Sequence, residues 1–299
     1  MTAPLLIGPE AEAYLSWPGV AAAIAAGHKR PRAEIDDTFL YRGDDTLLSR
    51  SAWIDGLGIL VKSATIFPGN AAAGQPTIGG GVCLFDDQDG TLAAVIDFRL
   101  LTKWKTAGDS LLGAMRLARS DSQTILVVGA GTVAGSLIDA YRSHWPAAAF
   151  LIWNRTPAKA AALAASKGAQ AVDDLGPAVM RADIIACATM STQPVLQGNW
   201  LRPGQHVDLI GAYRPDMREI DDTAISRAEI YVDSRETTIG HIGELKDPIA
   251  RGVISAQDIR ADFYDERFER SSADAITIFK NGGGAHLDLM VAAHIKASI

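Results

Sequence analysis

The stretch Thr124-Ile-Leu-Val-Val-Gly-Ala-Gly constrains this chain most, because an apolar run ends in spaced glycines where a helical pattern begins. The following TVAGSLIDAYRSHW has helical spacing, and AFLIWN reads as a second strand, so the segment is a βαβ unit. The alternation continues through the helix PAKAAALAASKG, the strand-like AQAVDD, the short helix LGPAVMRA and the strands DIIACAT, HVDLIGAY and EIYVDS. A less regular stretch ends near Ser272; ITIFKN then reads as the last strand of the same sheet and GGGAHLDLMVAAHIKAS as a closing helix. Strands alternating with helices on this scale predict a parallel sheet covered on both faces, an α/β fold.

Gly129, Gly131 and Ala134 form G-x-G-x-x-A between the first strand and the helix. In that context the first glycine permits a tight turn, the second lets a pyrophosphate reach the backbone, and the small third residue lets helix pack on strand. The turn is therefore read as a dinucleotide cradle of the Rossmann type, with Ala130, Thr132 and Val133 beside the phosphates and the helix N-terminus supplying free N–H groups. The second strand ends in Trp153-Asn154-Arg155-Thr156, with no acid to bind a ribose 2′-hydroxyl. Arg155, with Asn154, Thr156 and Lys159, suits a 2′-phosphate instead, since a guanidinium matches phosphate oxygens in a bidentate way. The expected cofactor is NADPH in preference to NADH; the competing reading of Arg155 is a solvated surface residue.

Before Thr124 the pattern changes to strand candidates TFLYR, GILVKSATIF, GGVCLF and LAAVIDF, then a helix across LTKWKTAGDSLLGAMRLA, read as a separate α+β domain. The chain has 299 residues, 48% hydrophobic and 21% charged, which excludes a disordered or fibrous protein. A net charge of -7 speaks against nucleic-acid and membrane-surface partners. Cys83 and Cys187 lie in apolar runs and are read as reduced, buried thiols. No HxxxH, CxxC or acidic ligand cluster predicts a metal site. The N-terminus MTAPLLIGPEAEAYL lacks a signal pattern and no apolar run is long enough for a membrane span, so the expected compartment is the cytoplasm.

LTKWKTAG, VVGAGTVA, IWNRT, PVLQGNWLRPGQHVDLIGAYRPDMREID and ITIFKNGGGAHLD together resemble the ornithine cyclodeaminase/mu-crystallin family, from about Gly58 onward and most specifically over Gly211 to Asp222. The resemblance implies a homodimer. It implies a substrate and dimerisation domain made of residues 1–120 and 277–299, a Rossmann domain of residues 121–276 between them, and ligand in the cleft. It places Lys105, Thr106, Ala188, Thr189, Met190, Ile210, Gly211, Lys280 and Asn281 among the cofactor contacts.

The family includes cyclodeaminases, alanine dehydrogenases and ketimine reductases, so the residues must choose between reactions. Where cyclodeaminases carry an aspartate, this chain has Tyr213, which removes the partner that a diamino acid needs; the phenol is either a donor to an imine nitrogen or a pocket wall. Arg214, Pro215 and Asp216 resemble the mu-crystallin side of the family, which reduces cyclic ketimines. Lys62 matches a family lysine facing substrate, and a lysine in an apolar strand calls for an anion such as a carboxylate; the alternative is snorkelling at a strand end. Lys105 stands where the family's T-x-x-R-T pattern has arginine, and Arg42, with Arg50 as competitor, is the candidate third cation. Lys280-Asn281-Gly282-Gly283 replaces a Lys-Ser-Val/Leu-Gly pattern, bringing backbone near the nicotinamide and, through Gly282, enlarging the substrate pocket wall. His286 is a proton donor or the first turn of the closing helix, and Asp288 orients a catalytic cation or water or favours that helix N-terminus.

The expected function is NADPH-dependent reduction of a small imino acid, Δ1-pyrroline-2-carboxylate or Δ1-piperideine-2-carboxylate, to proline or pipecolate. Lys62, Tyr213 and Asp288 are the catalytic candidates, and Arg42, Lys62, Lys105 and Gly282 the substrate contacts. The alternatives are an alanine or other amino-acid dehydrogenase, an ornithine cyclodeaminase, and a non-catalytic NADPH-dependent small-molecule binding protein.

Overall fold

The computed structural model describes residues 3–299; Met1 and Thr2, where the N-terminus and the 1–120 segment read above begin, lie outside them. Two compact units emerge, one ending at Lys105 and completed by Gly284–Ile299, the other running Thr106–Gly283.

The first unit contains β1 (Leu5–Ile7), α1 (Trp17–Gly27), β2 (Glu34–Arg42), β3 (Asp45–Ile54), β4 (Gly58–Ile66), β5 (Ile78–Phe85) and β6 (Leu92–Asp97). They form a six-stranded sheet in the order β1-β6-β5-β4-β3-β2, antiparallel except for the β1/β6 pair. β4 shows why the sheet has an inside: Gly58, Leu60, Lys62 and Ala64 are buried while Ile59, Val61 and Ser63 are partly exposed, the period of two of a strand covered on one face. α1 starts where the Ser16 hydroxyl accepts from the Gly19 N–H, with Pro18 in its first turn. β3 and α1 were not expected: Ser49, Arg50 and Ser51 interrupt the apolar alternation of β3.

α2 (Phe98–Leu117) carries the chain across the boundary at Lys105. The second unit follows with β7 (Thr124–Val128), α3 (Thr132–His144), β8 (Ala149–Trp153), α4 (Pro157–Lys167), β9 (Gln170–Ala171), α5 (Leu175–Arg181), β10 (Ile184–Cys187) and β11 (His206–Leu209). Then come α6 (Asp222–Arg227), β12 (Glu229–Val232), α7 (Arg235–Thr238), α8 (Gly243–Ala250), β13 (Ile259–Ala261) and β14 (Thr277–Lys280), before α9 (Ala285–Ser298) rejoins the first unit and packs on β3, β4 and α1.

The second sheet is eight-stranded and parallel throughout, in the order β13-β12-β14-β11-β10-β7-β8-β9. Its central strands are continuous apolar runs because helices cover both faces; Ile125 to Val128 and Ile184 to Cys187 are at most 1% exposed. One unit is thus the expected Rossmann-type α/β fold and the other a mixed-sheet unit. The boundaries differ from 120/121 and 276/277. β14 pairs with β11 and β12 inside the parallel sheet, and so belongs to the dinucleotide unit. Among the described residues no helix is long and apolar enough to cross a membrane.

Candidate active site

The chain reverses its winding at β7, which lies between β8 and β10; ligands of open α/β sheets bind off the carboxyl ends of the strands at such a switch point. Gly129 leaves β7 with φ 121, a left-handed conformation suited to glycine, and a Cβ there would lie 2.7 Å from the Ala188 carbonyl oxygen. Gly131 caps α3 without any side-chain cap, and a Cβ built on it meets nothing within 4 Å. Gly131, Thr132 and Val133 are exposed while Ala134 is fully buried against the sheet. An open backbone cradle at the positive end of a helix fits a pyrophosphate.

At the end of β8, Arg155, Thr156 and Lys159 are exposed in the turn leading to α4, and the Asn154 side chain donates to the Thr156 carbonyl at 3.0 Å, pinning that turn. The turn thus carries an exposed guanidinium and an exposed ammonium. After β10 and β11, Ala188, Thr189, Ile210 and Gly211 are partly exposed and Met190 is 74% exposed. Tyr213 is 55% exposed and lies beside the Arg214 guanidinium, which pairs with Asp216.

In the first unit a second constellation forms around β4. Lys62, on the buried face, donates from Nζ to Asp288 Oδ1 of α9 at 2.9 Å and lies 4.9 Å from the centre of the Phe98 ring. Its cross-strand neighbour on β3 is Arg50, whose guanidinium grips Asp37 of β2 through Nε and Nη2 at 2.8–3.1 Å. Lys105, 8% exposed on α2, and His286, fully buried at the start of α9, complete the group.

Burial pushes the Lys62 ammonium below the ordinary lysine range, against the pull of Asp288, with Lys105 and Arg50 adding to the lowering. Burial alone would raise Asp288, but Lys62, Lys105 and Arg50 outweigh it and hold the carboxyl below its usual value. Burial, then His28 and Lys105, keeps His286 well below the usual histidine range, a neutral imidazole. Asp288 Oδ2 has no hydrogen-bond partner among the described residues. The arrangement is a buried lysine paired with an aspartate, with further cations at its side, and it suits a small anionic ligand.

Residues 55–299 match the sequence profile of the ornithine cyclodeaminase/mu-crystallin family. This chain belongs to that family. It is 51% identical over 296 residues to the Delta(1)-pyrroline-2-carboxylate reductase of Paracoccus denitrificans, covering 96% of this chain and 94% of that relative. Over 238 residues it is 31% identical to the ketimine reductase mu-crystallin of Mus musculus, covering 78% of this chain and 74% of that one. Among solved structures, an archaeal alanine dehydrogenase dimer with bound NAD aligns with a TM-score of 0.90 at 25% identity, over 99% of this chain and 95% of that one. The Thermococcus litoralis Delta(1)-pyrroline-2-carboxylate reductase in complex with NADH and L-proline shares the fold, with a TM-score of 0.89 at 23% identity over 98% of this chain and 97% of that one.

Several family-derived assignments need correction. Arg42 does not join Lys62: its side chain is 80% exposed, pairs with Asp45 at the β2–β3 turn, and lies on the opposite face of β2 from Asp37 in an unbroken register. Arg50 occupies the position beside Lys62. The Lys280 side chain is fully buried and donates to the carbonyls of Leu209 and Asn281. Asn281, 3% exposed, donates to Asp208 and Ser110, so both side chains brace the end of the sheet and leave only backbone at these two positions to face a ligand. Gly282 does not enlarge a pocket, since a Cβ there would lie 2.2 Å from Thr238 Oγ1. Asp37 escaped sequence reasoning because its partnership with Arg50 depends on β2/β3 register.

Proposed function

We propose that this chain reduces a cyclic imino acid, Δ1-pyrroline-2-carboxylate or Δ1-piperideine-2-carboxylate, to proline or pipecolate, with NADPH preferred. Its class is that of a nicotinamide-dependent oxidoreductase acting on C=N. The observation that carries the reading is the buried Lys62–Asp288 pair flanked by Arg50 and Lys105, supported by 51% identity to a Delta(1)-pyrroline-2-carboxylate reductase.

Gly129, Ala130, Gly131, Thr132 and Val133 would hold the pyrophosphate, and Arg155, Thr156 and Lys159 the 2′-phosphate. A nicotinamide dinucleotide held there would supply the hydride that reduces the C=N bond. Arg50 and Lys105 attract the substrate carboxylate. Lys62 Nζ carries the proton that the product nitrogen needs, and Asp288 keeps that ammonium oriented. The ordinary lysine value, ~10.4, makes a poor proton donor near neutrality, and burial moves Lys62 toward a useful range. Tyr213, in place of an aspartate, leaves no carboxylate there for the amine of a diamino acid. The partner we propose is a second copy of the chain, as in the alanine dehydrogenase dimer, and the compartment the cytoplasm. Phe39, Leu40 and Tyr41 on edge strand β2 are 48–72% exposed, which favours such a dimer.

The test is NADPH oxidation by the purified chain with each cyclic imine, with pyruvate plus ammonia, and proline formation from ornithine with NAD. The expected result is turnover of a cyclic imine without ammonia. Activity only with ammonia, or only from ornithine, replaces the proposal by the corresponding alternative, and cofactor binding with no turnover leaves a binding protein. In the same assay Arg155→Ala is expected to raise KM for NADPH about tenfold or more, the value of a charge-assisted phosphate contact, while sparing NADH.

A further inference from the structure

Glu219 is fully buried in the loop after β11, and its carboxylate reaches both the start of its own loop and the loop after β10. Oε1 accepts from the Thr189 N–H and from its hydroxyl, both at 2.8 Å. Oε2 accepts from the N–H groups of Gly211 at 2.8 Å and Ala212 at 3.2 Å. Thr189 lies past the carboxyl end of β10 and Gly211 past that of β11, so one side chain ties together the loops leaving two adjacent parallel strands. Their approach leaves no room for a larger residue: a Cβ on Gly211 would lie 2.0 Å from the Thr189 carbonyl oxygen and 2.6 Å from Glu219 Oε1.

The position is deliberately anchored. Glu244 on α8, also fully buried, accepts from the N–H groups of Glu219 at 2.7 Å and Ile220 at 3.2 Å. The Glu219 carbonyl receives the N–H groups of Val195 and Leu196. Burial and then the neighbouring Glu244 push Glu219 up to about 7, while Lys280 and the Thr189 donors favour its charged form. Burying a carboxylate next to another is costly, and the compensation here is four hydrogen bonds to two loops.

We propose that Glu219 is a positioning residue for the nicotinamide half of the dinucleotide, acting through the Thr189 and Gly211 loops that its carboxylate holds together. The inference rests on the reading that this chain binds a nicotinamide dinucleotide, and not on which imine it reduces. With the pyrophosphate held at the β7 turn and the 2′-phosphate at the β8 turn, the remaining half of the molecule would lie over the ends of β10 and β11. Glu219 touches no ligand; it sets the surface on which that half rests. Glu219→Gln keeps the shape but replaces one acceptor oxygen by an N–H donor, so the side chain can no longer accept from the backbone N–H groups of both loops at once.

The test compares binding of NADPH and of adenosine 2′,5′-bisphosphate, which lacks the nicotinamide half, to the full chain and to Glu219→Gln by calorimetry. The expected result is a loss of NADPH affinity of about tenfold or more with bisphosphate affinity unchanged within about twofold, as for loss of hydrogen bonds to a charged group. An equal loss for both ligands, or no loss for either, overturns the proposal. If Glu219→Gln does not fold, Glu219→Asp keeps the charge but shortens the side chain so that it cannot reach both loops; a fall of about threefold or more confined to NADPH supports the proposal, and an unchanged ratio overturns it. A wild-type chain that binds NADPH without reducing imines sinks the proposed reaction and leaves this comparison intact.

Discussion

Arg50 and Arg42 differ chiefly in the face of the sheet on which each lies. Arg50 is the direct cross-strand neighbour of Lys62 and is fixed by Asp37, whereas Arg42 projects from the opposite face at a hairpin. Arg50→Ala is therefore expected to raise KM for the imino acid about tenfold or more, and Arg42→Ala to change it less than about twofold. Steady-state kinetics of the two variants decide this, and equal effects would sink the assignment of Arg50 to the carboxylate. At this scale the sequence was informative where a residue violated its surroundings. Lys62 in an apolar strand announced a charged partner. The choice between Arg42 and Arg50 was invisible, because a face depends on register with a strand that the sequence did not reveal.

The segment after β14 shows how an element enforces residue identity. Gly282 and Gly283 donate their N–H groups to Asp233 Oδ2 at 2.8 and 2.7 Å, while Thr238 of α7 donates its hydroxyl to Oδ1 at 2.7 Å. With a Cβ on Gly282 only 2.2 Å from Thr238 Oγ1, the turn has no space for a methyl group. Gly282→Ala is expected to lower the thermal midpoint by several °C, since overpacking of this kind costs about 1–3 kcal/mol. The penalty should shrink in a Thr238→Ala background. A neutral Gly282→Ala would show that α7 yields easily and that the glycine serves the site after all. The glycines were legible as a turn, but their function was misread because α7, the element they pack against, lies in the stretch without periodicity.

For the molecule as a whole, the parallel sheet encloses groups whose charge it excludes. His206 on β11 is fully buried, its Nδ1 2.9 Å from Thr277 Oγ1, and burial followed by Arg270 lowers it to about 3. An unfolded chain takes up that proton near ~6.5. The depressed native value means that His206 contributes stability fully above ~6.5, lost progressively as pH falls toward about 3. The thermal midpoint of the wild type is expected to fall more steeply between about pH 6.5 and 4.5 than that of His206→Gln, with a difference approaching ~1.4 kcal/mol per pH unit. Parallel slopes would mean that the native state accommodates the charged imidazole.

The sequence alone determined the βαβ core, the glycine cradle, the Arg155 turn and the family, because each depends on neighbours within one strand–helix–strand unit and on the local alternation of apolar residues. Only the tertiary structure decided that Lys62 meets Asp288, 226 positions away, that Arg50 and not Arg42 stands beside it, and that Lys280 and Asn281 turn inward. Those outcomes follow from strand register and burial, which hydrogen-bond ladders and packing set between segments with no contact along the chain. The glycine cradle was legible at once; Glu219, which ties the neighbouring loops, became visible only when four donors from two loops converged on one buried carboxylate.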